Sequence, residues 1–130
     1  MISGISSIII FVKDQNEALA FWVEKLNFTV LKDIVLDPKL RWIQIIPHDS
    51  KDTSLILYPK SMVTNRMSRP LSTIIFETLD IKSTIEQMTK NGVVFSHVPM
   101  HSELGSYVLF KDNEGNEFIM MEQSIDNNKR

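Results

Sequence analysis

The apolar positions of this chain fall in short runs punctuated by proline, glycine and aspartate. Ile2 to Val12 is apolar and β-branched on both parities, which predicts a strand buried on both faces. Asp14 then opens a helix, with Glu17 three positions on in the spacing of a capping box. Leu19, Trp22, Val23 and Leu26 stand at i, i+3, i+4 and i+7, one apolar stripe on about three turns. Asn27 suits the left-handed residue that ends such a helix. Phe28 to Ile34, Leu40 to Ile46 and Ser54 to Tyr58 read as further strands, closed by Asp37-Pro38, Pro47 and Pro59.

The second half repeats this order. Leu71 to Thr78 reads as a strand, and Asp80 or Ser83 caps a helix with its stripe on Ile81, Ile85 and Met88. Asn91-Gly92 ends that helix. Val93 to Val98, Gly105 to Lys111 and Glu117 to Glu122 read as strands, the last two joined by the turn Asp112-Asn113-Glu114-Gly115-Asn116. Asp14 recurs as Asp80, Trp42 as Tyr107 and Ile56 as Ile119 at a nearly constant offset, and the small drift falls in loops. The expected organisation is one domain over residues 1–130, made of two β-α-β-β-β repeats (about 3–59 and 71–123) and a connector over 60–70 that lacks a clear period.

Composition narrows the function. The 130 residues suffice for one domain with a sizeable core. A net charge of −2 gathers neither nucleic acid nor an anionic membrane surface. There are no cysteines, which excludes disulfides, thiolate metal sites and cysteine nucleophiles. No apolar run is long enough to span a bilayer, and the N-terminus has no basic leader, so the expected location is the cytoplasm. No Ser-His-Asp order, phosphate-binding glycine loop or zinc spacing occurs. His48, His97 and His101 lie in loops or at strand ends without a partner at ligand spacing, which favours a surface role. Arg66 and Arg69, in the connector, read as surface cations unless that segment folds over a ligand.

Phe11-Val12-Lys13-Asp14, Ala18-Leu19-Ala20-Phe21-Trp22 and Lys25-Leu26-Asn27-Phe28 resemble the start of the vicinal-oxygen-chelate superfamily. That superfamily includes glyoxalase I, the bleomycin- and fosfomycin-resistance proteins and the extradiol dioxygenases. Phe110-Lys111-Asp112-Asn113-Glu114-Gly115-Asn116-Glu117-Phe118 resembles its second signature, with Asn113 where a proline is usual. The resemblance covers nearly the whole chain. It implies an α+β fold: two β-α-β-β-β modules whose curled mixed sheets surround a cleft, commonly in a homodimer. Metal-dependent members hold a divalent ion on the first and last strands of each module. Carried over residue by residue, those positions are Ser7, Ile56, Thr73 (Ser72 in the alternative register) and Ile119. Hydroxyls and isoleucines cannot replace the imidazole and carboxylate donors such an ion takes. The resemblance therefore implies no cofactor here.

Strand parity extends the candidate cleft from those positions. Ser7, Ile9 and Phe11 share a face, as do Ile56 and Tyr58, Thr73 and Ile75, and Ile119 and Met121. The repeat adds Trp42 and Gln44, matched by Tyr107 and Leu109. The opposite parity (Ile8, Ile10, Val12, Leu55, Leu57, Phe118, Met120) should pack under the helices. Such a cleft suits an apolar or aromatic small molecule, stacked on Trp42, Tyr58 or Tyr107 and oriented by Ser7, Thr73 or Gln44. The same aromatics also read as ordinary core.

The leading expectation is a dimeric binding protein of the bleomycin-resistance type, with no nucleic-acid or membrane partner. The alternative is a metal-dependent glyoxalase-like lyase or dioxygenase, with Glu77, Glu117 or Glu122 as shifted ligands. A third is a structural or regulatory dimer whose cleft is filled by its own side chains.

Overall fold

The computed structural model describes residues 1, 5–38, 40–62 and 74–123. They belong to two compact units, residues 1–69 and 70–130. The first unit holds β1 (Ser7–Val12), α1 (Gln15–Ala20), β2 (Phe28–Asp37), β3 (Leu40–Pro47) and β4 (Ser54–Pro59). Its sheet has the order β1-β4-β3-β2, with β1 and β4 parallel and the other pairs antiparallel.

Local chemistry sets the helix. The Asp14 carboxylate accepts from the Glu17 N–H at 2.9 Å, satisfying an orphan donor of the first turn. After Ala20 the helix widens into a π turn over Phe21–Lys25. Asn27 ends the run at φ 59°, the left-handed conformation that asparagine tolerates. The residues buried are Ala18, Phe21 and Trp22, with Leu19, Val23 and Leu26 only half-buried. The expected stripe is thus one residue off, because Ala18, Phe21 and Trp22 are themselves an i, i+3, i+4 set.

The sheet face toward this core carries Ile10, Val12, Ile43, Ile45, Leu55 and Leu57, all buried. β1 is not buried on both faces as its sequence suggests: Ile9 keeps 44% of its surface. Gln15 ties α1 to the sheet, its Nε2 donating to the Leu57 carbonyl at 2.8 Å and the Arg41 carbonyl at 2.7 Å. Arg41 grips Asp33 across the β2–β3 hairpin with Nε and Nη2, both at 2.8 Å, and gives Nη1 to the Asn16 side chain at 2.5 Å.

The hydrogen bonds from Arg41 hold the Asp33 carboxyl below the ordinary aspartate range, against a smaller opposing effect of desolvation. A depressed carboxyl pKa stabilises the fold above the unfolded value and loses that contribution as pH falls through the folded one. Acidification below about pH 4 should therefore cost the wild type more stability than Asp33→Asn. The pair is partly solvated, so the difference in urea melts should stay under about 1 kcal/mol.

The second unit holds β5 (Ile75–Glu77), α2 (Ile81–Lys90), β6 (Val94–Phe95), β7 (Met100–Ser102), β8 (Gly105–Lys111) and β9 (Glu117–Gln123). Its sheet runs β5-β9-β8-β6, with β5 and β9 parallel, and β7 also pairs with β8. Setting β7 aside, the strands connect in the same order as in the first sheet. Asp80 caps α2 by accepting from the Ser83 N–H at 3.1 Å, and Gly92 leaves the helix at φ 90°. Phe110 packs against Phe76, Phe95 and Phe118 at centroid distances of 5.9, 6.3 and 5.8 Å. Val108, Met120, Ile81 and Met88 complete this core.

The strand expected over Val93–Val98 is reduced to Val94–Phe95, and β7 was not expected. Beyond Phe95 the Ser96 N–H still donates to the Leu109 carbonyl at 3.1 Å, Pro99 has no N–H to give, and ladder pairing with β8 resumes at Met100. The expected start of the preceding strand (71–73) and connector residues 63–70, with Arg66 and Arg69, lie outside the described residues. The signature turn is held by Asp112. Its Oδ1 accepts from the N–H groups of Glu114 and Asn116, both at 2.9 Å, and its Oδ2 accepts from Asn116 Nδ2 at 3.0 Å. Among the described residues no helix is long and apolar enough to cross a membrane.

Candidate functional site

In the first unit, the sheet face opposite the helix is built from alternate residues of four strands. Ser7 stands across from Ser54. Ile9, Ile56, Gln44 and Lys32 form the next row. Phe11 and Tyr58 follow, their rings edge-to-face at 6.2 Å between centroids, and Trp42 lies on the same face two residues from Gln44. Ile34 of β2 stands across from Trp42. Ile56 is 3% exposed beneath its neighbours, whereas Phe11, Trp42, Gln44 and Tyr58 are half-buried. The face is apolar and aromatic around one amide, with the exposed Lys32 across from that amide on β2.

That amide is fixed on both sides. Trp42 Nε1–H donates to Gln44 Oε1 at 3.2 Å, and Gln44 Nε2 donates to Ser54 Oγ at 2.8 Å. Ser54, 2% exposed, passes its own hydroxyl proton to the Ser6 carbonyl at 3.3 Å. Indole N–H is a donor only, so the amide oxygen must face Trp42. Ser54 is absent from the sequence-based candidates. At the start of a strand it reads as a boundary residue, and only the register sets it diagonally opposite Gln44.

The equivalent face of the second unit is softer. Ile75, Ile119 and Leu109 form one row, and Glu77, Met121, Tyr107 and Met100 the next. The Tyr107 hydroxyl donates to Met100 Sδ at 3.8 Å, and the His97 ring stands edge-on to Tyr107 at 6.3 Å. Ile75 is 58% exposed. Thr73 lies outside the described residues.

Of the positions that the resemblance assigns to a divalent ion, the described residues include Ser7, Ile56 and Ile119. Ser7 offers a neutral hydroxyl, and Ile56 and Ile119 offer no donor at all. Of the three glutamates considered as shifted ligands, Glu122 lies on the helix side with Phe118 and Met120, and its Oε1 accepts from the Ile81 N–H at 2.7 Å. It serves the N-terminus of α2. Glu117 accepts from Ser96 Oγ at 2.9 Å, and Glu77 is exposed. Among the described residues, no three histidine or carboxylate side chains converge as a metal group.

A family model described as "Glyoxalase/Bleomycin resistance protein/Dioxygenase superfamily" matches residues 4–120. The chain belongs to this superfamily. The uncharacterized protein YetH of Bacillus subtilis (strain 168) is 38% identical over 94% of this chain and 100% of its own length. A crystal structure of a superfamily member from Sphaerobacter thermophilus DSM 20745 has a TM-score of 0.82 at 29% identity, over 94% of this chain and 98% of that one. TnmS3, an antibiotic binding protein from Streptomyces sp. CB03234, has a TM-score of 0.79 at 28% identity, over 95% and 98%. Two mixed sheets with few helices are the fold these superfamily members share with the chain.

Proposed function

We propose that this protein is a small-molecule-binding member of the superfamily that works without the usual metal centre. It holds an apolar or aromatic ligand by burial and stacking, and acts in the cytoplasm as a homodimer. The observation that carries this reading is the first unit's open face, where Phe11, Trp42, Tyr58, Ile9 and Ile56 surround one oriented amide. Aromatic rings present large rigid area at little entropic cost, which suits a flat ligand. The donor chemistry at Ser7, Ile56 and Ile119 supports a role other than ion binding. The antibiotic-binding neighbour supports a small-molecule ligand. Support for the dimer is the edge strand β2, which leaves Leu31, Ile34, Val35 and Leu36 exposed at 47–70% of their surface. We read the two units as repeats of one β-α-β-β-β module.

The test is a fluorescence titration with flat aromatic acids, run beside elemental analysis of the purified protein. Saturable binding that survives EDTA is expected. Stoichiometric zinc, nickel, manganese or iron, with binding lost on its removal, would overturn the reading.

A further inference from the structure

Among the places where the two open faces differ, one sets an amide against an aliphatic side chain. Where the second unit has Leu109 across from Ile119, the first has Gln44 across from Ile56. A half-buried amide beside Ile56 is costly unless its bonding is satisfied. Here the cost is offset by a chain of named bonds, from Trp42 to Gln44 to Ser54 to the Ser6 carbonyl. The chain uses the single indole donor of Trp42, one lone pair of Gln44 Oε1 and one of the two Nε2 hydrogens. Gln44 is half-buried, and the second Nε2 hydrogen is used by neither of these bonds.

We propose that this locked amide selects ligands, and that the ligand class is a planar aromatic molecule bearing a carbonyl oxygen. The reading rests on the binding function proposed above and adds its polar specificity. Ile9 and the rings of Phe11, Tyr58 and Trp42 take the flat apolar body, over the buried Ile56. The remaining Gln44 N–H takes the carbonyl. Ser54 is a positioning residue: by accepting one Nε2 hydrogen and giving its own proton to the Ser6 carbonyl, it keeps the amide from turning over. The lock has a directional consequence. A freely rotating glutamine could offer either end to a ligand, but here the nitrogen stays on the Ser54 side and the oxygen on the Trp42 side. A carbonyl there completes the valence of the amide nitrogen. A purely hydrocarbon ligand covering the same surface leaves that N–H unsatisfied, which is the source of discrimination.

The probes are 9-fluorenone-2-carboxylate and fluorene-2-carboxylate. They share ring outline and charge and differ in the ketone. Isothermal titration of the full chain should show the fluorenone bound about tenfold more tightly, the free energy of one well-placed hydrogen bond. Gln44→Glu keeps the acceptor for Trp42 Nε1–H and removes the amide N–H, with the Ser54 hydroxyl turning from the Ser6 carbonyl to the new carboxylate; it should abolish the preference. Its added charge acts equally on both anions, so the ratio stays interpretable. Gln44→Leu should also erase the preference while retaining fluorene binding. Ser54→Ala should reduce the preference without eliminating binding of either probe. A fluorenone preference that persists in Gln44→Glu, or equal affinities in the wild type, would overturn the selection and leave the binding function standing. Failure of both probes to bind the wild type would overturn both.

Discussion

Trp22→Ala is expected to be the most destabilising single change in the first unit, at about 3–5 kcal/mol. Trp22 is fully buried, and it is sited by the π turn that follows α1. Its ring meets Phe21 at 5.6 Å and Phe28 at 5.1 Å between centroids, both edge-to-face. Truncation removes the transfer energy of a large ring and opens a cavity whose walls are held by helix and sheet. Phe28 enters β2 directly after Asn27 at positive φ, so the strand cannot slide inward without disturbing that turn. A urea melt followed by far-UV circular dichroism measures the loss. If the two units melt separately, the shift should fall on one transition only. A loss below about 1 kcal/mol would mean that the site collapses freely.

Much of the fold was legible because the central strands bury one face and the turns carry recognisable chemistry. Leu55 and Leu57, Phe118 and Met120 were placed inward by parity counted from the positions the resemblance supplied, and they are buried. Asp14, Asn27, Asp80 and Gly92 were read from the same physics that sets their dihedrals and caps. The errors have equally definite causes. Ile9 belongs to an isoleucine run, and a run on both parities looks like a doubly buried strand; which face is covered depends on tertiary packing. β7 is three residues without alternation, and its pairing with β8 is what makes it a strand. Glu122 looked available for a metal because it ends the last strand. Its parity with Phe118 and Met120 was the signal that it points toward α2. Ser54 could not be found by composition, since its role is a diagonal contact created by register. The sequence-based candidates Ser7, Ile9, Phe11, Trp42, Gln44, Ile56 and Tyr58 share one face in the first unit, and Ile75, Tyr107, Leu109, Ile119 and Met121 share one in the second. The intended fourth metal position, Thr73, lies outside the described residues.

Trp42→Ala should weaken binding of a flat aromatic acid by roughly tenfold to a hundredfold, in the range of a central aromatic anchor. Two losses combine. The indole face is removed from the stacking surface, and the donor that orients Gln44 Oε1 goes with it. Trp42→Phe separates them: it restores a stacking ring without the N–H, so it should recover much of the affinity while lowering the fluorenone preference. The chain's two tryptophans make the measurement internal. Trp22 is fully buried in the helix-side core, whereas Trp42 is half-buried on the open face. A ligand on that face should quench only part of the emission in the wild type, and Trp42→Phe should remove the quench although calorimetry still detects binding. Full quenching in Trp42→Phe would place the ligand beside Trp22 and away from this face. Unchanged affinity in Trp42→Ala would leave the aromatic row as packing alone, since a stacking surface that loses its largest ring cannot hold the same ligand equally well.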